Sequence, residues 1–142
     1  MVCTFTGHRP ERLPWGSDER DARCAALRTL IQRAVTQACA DGFDAFLCGM
    51  ARGCDMYFAE AVLAARETFP QIRLTAMIPC PTQPVCVLEP VYSDGCMLRR
   101  NRAMVDAAER VITVYDGGAA GGTAAAVRYA QRRGRELVRL WY

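Results

Sequence analysis

Four glycines fall within Gly117–Gly122 of the stretch YDGGAAGGTAAAVRYA, Tyr115–Ala130, and Thr123 follows at the start of a helix-forming run. Glycine adopts positive φ and lets a ligand approach the backbone closely. A helix beginning at Gly122-Thr123 directs free N–H groups and partial positive charge toward its entrance, which suits a phosphate. The Thr123 hydroxyl then acts as helix cap or as phosphate donor. GGAAGGT shares the frame of a P-loop, but the chain contains no lysine, which excludes a Walker-type NTPase and lysine Schiff-base chemistry.

Two further loops place glycine where an apolar run ends. Thr6-Gly7-His8-Arg9 follows VCTFT, and GMARGCD, Gly49–Asp55, follows AFLC. Arg9 offers a guanidinium fork and His8 a donor to phosphate, or both belong to a solvated turn. Asp55 complements the dipole of the helix it opens, or accepts from ribose hydroxyls. Glu60, further along that helix, is expected to be solvated or ion-paired. Asp116 either holds the glycine loop through an Asx turn or contacts ligand. Taken singly, each loop reads as a tight turn.

The elements decide whether the loops meet. Val2–Thr6 is a short β-prone run, and Pro10 and Pro14 keep the next loop out of helix. Ser17 or Asp18 caps a helix whose apolar face runs Leu27, Leu30, Ile31, Ala34, Val35 and Ala38, and Gly42 stops it. Ala45–Cys48 is a second strand, followed by a helix from about Cys54 to Glu67, which Phe69-Pro70 ends. Ile72–Ile78 is a third strand, and Ser93 or Asp94 opens a helix over Met97–Ala108. Val111–Tyr115, a helix over Thr123–Arg133 and a strand Leu137–Trp141 complete the alternation.

Strand and helix alternate throughout, which predicts an α/β fold: one domain, 1–142, with an open, mainly parallel sheet and helices on both faces. The loops leaving the carboxyl ends of its strands line one crevice, where ligands bind. Only residues 79–84 separate Ile78 from a possible strand Val85–Leu88, too few for a parallel crossover. Residues 78–95 are therefore expected to be irregular, or Val85–Leu88 not to be a parallel neighbour of the third strand.

Composition narrows the function classes. The 142 residues are 51% hydrophobic and 23% charged, as in a folded domain with a real core. No apolar run is long enough to span a bilayer and no secretory signal is visible, so a cytoplasmic protein without membrane association is expected. The +3 net charge comes from arginine; residues 71–142 hold ten Arg against six acids, and residues 1–70 eight against nine. That excess is too mild to argue a nucleic-acid groove. The eight cysteines contain no CxxC and His8 is the single histidine, so no zinc spacing appears and no metal is expected. Most of the cysteines read as small buried residues, with Cys54 and Cys96 the more accessible.

Five segments in order carry a resemblance: CTFTGHRPERLPWG, LCGMARGCDMYFAEAVL, IPCP, GCMLRRNRAMVDAA and VYDGGAAGGTAAAVRYA. Together they resemble the YpsA-like branch of the SLOG superfamily, the Rossmann-like group that also holds the DprA/Smf proteins and the LOG phosphoribohydrolases. The resemblance covers nearly the whole chain and implies a Rossmann-like fold with a pocket for a nucleotide or nucleotide-derived ligand. Members of the branch carry a further helical segment between the IPCP region and the strand before GCMLRRN, which this chain lacks.

The resemblance also selects Arg100 and Asn101 from the polar run 99–102, not all of which can face one way on a helix. The expected ligand set is then Thr6, Gly7, His8 and Arg9 from the first loop, and Gly49, Met50, Gly53 and Asp55 from the second. Arg100 and Asn101 join them, with Asp116, Gly117, Gly118, Gly121, Gly122 and Thr123 from the third. Asp55 is the single candidate for a catalytic role.

Three functions follow as expectations. The first is binding, and possible sensing, of a ribose- and phosphate-containing ligand such as an NAD or ADP-ribose derivative, with no cofactor required. The second is LOG-like cleavage of an N-glycosidic bond. The resemblance puts Ala126 at the position of the LOG glutamate, which removes a principal acid. The third is DprA-like single-strand DNA binding, which wants a basic track with aromatic faces that the composition does not supply. Nucleic acid is accordingly not an expected partner, and a homodimer is compatible with the fold.

Overall fold

The computed structural model describes residues 1–78, 86–87 and 96–141. Its strands are β1 (Val2–Gly7), β2 (Ala45–Cys48), β3 (Arg73–Ile78), β4 (Cys86–Val87), β5 (Arg110–Val114) and β6 (Glu136–Leu140). Its helices are α1 (Ala22–Ala40), α2 (Cys54–Ala65), α3 (Cys96–Ala107) and α4 (Gly122–Arg132). The strands form one sheet in the order β4-β3-β2-β1-β5-β6, and every pairing is parallel. This is the doubly wound, Rossmann-like arrangement.

Position in the sheet follows from hydrophobicity. β5 is buried at every residue and β1 from Cys3 to Thr6, as central parallel strands covered on both faces must be. α1 packs on α2 and α3 on α4. Right-handed crossovers running outward in opposite directions from the β1–β5 pair put these helix pairs on opposite faces. Under α1 and α2 the core is aromatic: Phe5 stacks on Phe58 with ring centroids 4.7 Å apart, and Phe46 meets Phe58 at 6.2 Å. On the other face Ala124, Ala126 and Ala130 are buried, and their small side chains bring α4 close to the sheet.

Two sequence expectations are corrected. α1 is capped by Asp21, whose carboxylate accepts from the Arg23 N–H at 2.8 Å, not by Ser17 or Asp18. Asp18 instead accepts from the Arg20 N–H within a preceding turn. Cys54 and Cys96 are fully buried rather than accessible, and burial pushes the Cys54 thiol up to about 12.

Cys86–Val87 pairs in parallel with Met77–Ile78 although only residues 79–85 lie between them. A parallel crossover of about a dozen residues is needed to return along a whole strand. Here the pairing involves only the last two residues of β3, so almost no return is needed. The proposed caps Ser93 and Asp94, the rest of Val85–Leu88 and the site of the shortened connection lie outside the described residues.

Candidate functional site

β1 and β5 are neighbours, yet the chain leaves β1 toward β2 and leaves β5 toward β6. Their loops therefore diverge at the carboxyl edge and open a crevice, where parallel sheets bind ligands. A cleft of about 290 Å³ lies at this point.

The loop after β1 forms its floor. Gly7 has no room for a side chain, because a Cβ would stand 2.8 Å from both the Cys54 Cβ and the Phe5 ring. Glycine here serves the docking of α2 on β1. The His8 carbonyl accepts from the Cys54 N–H at 3.4 Å, which ties the loop to the start of α2. His8 is buried, and its Nε2 accepts from the Asp116 N–H at 3.2 Å. Burial lowers its pKa below the ordinary 6.5, against the opposing pull of the Asp116 carboxylate. The lowered pKa favours the neutral imidazole, and Nε2 also lies 3.2 Å from Asp116 Oδ1. A single 3-10 turn, Pro10–Arg12, then brings Arg9 and Arg12 to the cleft.

The second loop delivers one carboxylate. Gly53 has φ +87°, and a Cβ there would meet the His8 carbonyl oxygen at 3.1 Å. Asp55 follows in the first turn of α2 and is only 6% exposed. Its Oδ2 accepts from the Ala51 N–H at 3.1 Å. Burial raises its pKa to about 6; the Ala51 N–H and the charges of Arg100 and Arg9 oppose the rise. Asp55 is therefore a buried acid held above the usual carboxylate range.

Arg100 reaches the same region from α3. Its Nη1 donates to the Gly49 carbonyl at 2.7 Å and to the Met77 carbonyl at 3.2 Å, stapling the ends of β2 and β3. Its Nε donates to the Asn101 side chain at 2.8 Å. A Cβ on Gly49 would lie 2.5 Å from Arg100 Nη1, so a side chain there would have to push the guanidinium aside.

The glycine loop is held by side chains from both ends of the chain. Asp116 Oδ1 accepts from the Gly118 N–H at 2.8 Å, forming the Asx turn. Arg12 donates to the Ala120 carbonyl at 3.3 Å and to Asp116 Oδ2 at 3.5 Å. Gly121, with φ +103°, precedes α4 without any side-chain cap. The Ala125 N–H closes the first turn onto the Gly121 carbonyl, and the N–H groups before it have no intrahelical acceptor; Gly121, Gly122 and Thr123 line the cleft. Thr123 lines the cleft, is 8% exposed and has no hydrogen-bond partner for its hydroxyl among the described residues.

Of the expected ligand set, Thr6, Gly7, His8, Arg9 and Asp55 line the cleft from the first two loops. Arg100, Asn101, Gly121, Gly122 and Thr123 line it from the other side. Gly49 and Gly53 stand behind the wall, packed on Arg100 and the His8 loop. Met50 is partly exposed outside the cleft with φ +57°. Asp116, Gly117 and Gly118 form the outer strap; a Cβ on Gly117 would meet Arg139 and one on Gly118 would meet Arg12, each at 3.0 Å. Glu60 is ion-paired with Arg28, as expected.

Sequence reasoning missed Arg12, Glu11, Ala51 and Met97, which also line the cleft. For Arg12 a signal existed. It lies three residues after Arg9 beyond a proline, a spacing that one 3-10 turn eclipses onto a single side.

Comparison with known proteins supports the same frame. Among solved structures, DNA processing protein A from Helicobacter pylori, described for its single-stranded DNA binding mode, is similar in fold. The match has a TM-score of 0.67 and 18% identity, covering 100% of this chain and 66% of that protein's. No curated protein matches in sequence. The profile of the YspA SLOG family matches residues 3–86, which hold the first two glycine loops, Arg12 and Asp55. With β1 through β3 and more than half of the 142 residues inside that match, the chain belongs to the YpsA (YspA SLOG) family.

Proposed function

We propose that the cleft binds a nucleotide or nucleotide-derived ligand of the NAD or ADP-ribose kind, with phosphate at the start of α4 and ribose toward Asp55. One observation carries this reading: the start of α4, without a side-chain cap, and a Thr123 hydroxyl without a partner among the described residues share a cleft with a buried acid. A helix N-terminus attracts anions, and an acid accepts from a diol. Arg9 and Arg12 add positive charge at the rim. Sensing of such a ligand, rather than turnover, agrees with Ala126, which is buried and brings no acid to the cleft.

The test is a thermal-shift screen of nucleotides, NAD, ADP-ribose and cyclic derivatives. A ligand specific to the folded state at about a hundred times its Kd adds roughly 2.7 kcal/mol, a readily measured shift. No shift with any of them contradicts the proposal.

A second reading, single-stranded DNA binding, draws on the fold likeness to DNA processing protein A, whose description names that activity. Fluorescence anisotropy with a labelled oligonucleotide tests it. Binding that falls steeply with salt and survives saturation with ADP-ribose favours DNA at a separate surface.

A further inference from the structure

We propose that Arg12 is the phosphate-recognising cation of the cleft, and that Asp116 holds it in competition with the ligand. The inference rests on the anion-binding reading of the cleft and adds both a residue and a device to it.

The guanidinium of Arg12 lies across the glycine loop. Cβ atoms placed on Gly118 and Gly121 would stand 3.0 and 3.4 Å from its two terminal nitrogens. A Cβ on Gly118 would crowd it and one on Gly121 would touch it, so the guanidinium rests directly on the bare glycine loop. Arg12 lines the cleft together with Gly121, Gly122 and Thr123, at the start of α4 that no side chain caps. Thr123, 8% exposed, lines the cleft at the same point, and its hydroxyl has no hydrogen-bond partner among the described residues.

Arg12's present partners are weak. Its contacts to the Ala120 carbonyl and Asp116 Oδ2 measure 3.3 and 3.5 Å, and its side chain is 40% exposed. A phosphate at the start of α4 offers the fork two oxygens at once, the geometry arginine prefers. Asp116 is then a resident carboxylate that the ligand must outcompete. His8 Nε2 lies 3.2 Å from Asp116 Oδ1 and is a second polar neighbour of that carboxylate. Arg139 donates to the Tyr115 carbonyl and is not part of the cleft wall.

Asp116→Asn separates competition from scaffolding. Asparagine still accepts the Gly118 N–H and keeps the Asx turn, but it releases Arg12. The experiment titrates inorganic pyrophosphate, and separately ADP-ribose, into wild type, Arg12→Met and Asp116→Asn at pH 7.5 by calorimetry, with a melt of each protein. Arg12→Met is expected to weaken pyrophosphate binding roughly tenfold or more, the loss of charged hydrogen bonds. Asp116→Asn is expected to tighten it roughly two- to fivefold, the worth of an exposed pair. Tightening is not an effect that a damaged loop can produce. Unchanged or weaker binding in Asp116→Asn overturns the inference, as does unchanged affinity in Arg12→Met. If ADP-ribose binds wild type while pyrophosphate does not, the inference fails and the nucleotide reading stands. If pyrophosphate follows the expected pattern while no nucleotide binds, the nucleotide reading fails instead.

Discussion

Arg100 Nη1 sits 2.7 Å from the Gly49 carbonyl oxygen, in the space that a Gly49 side chain would fill. The two residues are one structural unit: the strand end is bare so that a buried guanidinium can staple it. Gly49→Ala should therefore destabilise the fold by about 1–3 kcal/mol through overpacking. Arg100→Met should reduce that penalty in the double variant. Denaturant midpoints of the four proteins measure the coupling, and strictly additive losses would show that the two do not touch.

Asp55 lets site and stability be set against each other. Its folded pKa, about 6, lies above the reference value of 3.8. Its contribution to stability is full below pH 3.8 and is lost as pH rises through 6. Asp55→Asn should therefore stabilise the unliganded protein at pH 8 by on the order of 2 kcal/mol, with most of the gain gone near pH 4. The same variant should weaken nucleotide binding. Melting curves at the two pH values check the sign, and a variant less stable than wild type at pH 8 contradicts the burial argument.

His8 gives an independent check on the junction of the first and third loops. Its pKa is depressed below 6.5, so it contributes stability above that pH which is lost as pH falls through the folded value. Nitrogen chemical shifts should show a neutral imidazole at pH 7 protonated on Nδ1, because Nε2 accepts from the Asp116 N–H. A charged ring, or a proton on Nε2, would mean that His8 donates to the Asp116 carboxylate instead.

On catalysis, wild type should release no measurable base from nucleoside monophosphates, since Ala126 supplies no carboxylate. Chromatography after prolonged incubation measures it. Turnover abolished by Asp55→Asn would instead make the buried acid a catalyst.

Much of this was legible in the residues. The Leu27, Ile31, Val35, Ala38 period marks the buried face of α1, and Gly42, with φ +97°, ends the helix as expected. Ala45–Cys48 reads as a strand because it is apolar and bounded by turn residues, and it is β2 residue for residue. What escaped depends on distance in sequence. Ser17 and Asp18 look able to cap a helix, and only the turn over 18–21 passes that role to Asp21. The contact of Arg12 with Asp116 joins opposite ends of the chain, and no local pattern records it. Gly7 and Gly49 read as glycines for ligand approach, but their bareness accommodates Cys54 and Arg100, neighbours that only the fold supplies.

The glycines of the third loop differ in what they permit, and that difference selects the decisive variant. Gly121 has φ +103°, so any side chain there strains the backbone whether or not a ligand is involved. Gly122 has no such constraint: the nearest contact of an added Cβ is Asn101 Nδ2 at 4.0 Å. It also lies at the first turn of α4 and lines the cleft. The measurement that tests the central claim is calorimetric titration of ADP-ribose into wild type and Gly122→Val, with circular dichroism melts of both. Binding to wild type that is lost, or weakened by at least about tenfold, in an equally folded Gly122→Val is the predicted result. Equal affinity in the two proteins would place the ligand elsewhere and leave the four glycines a turn and nothing more.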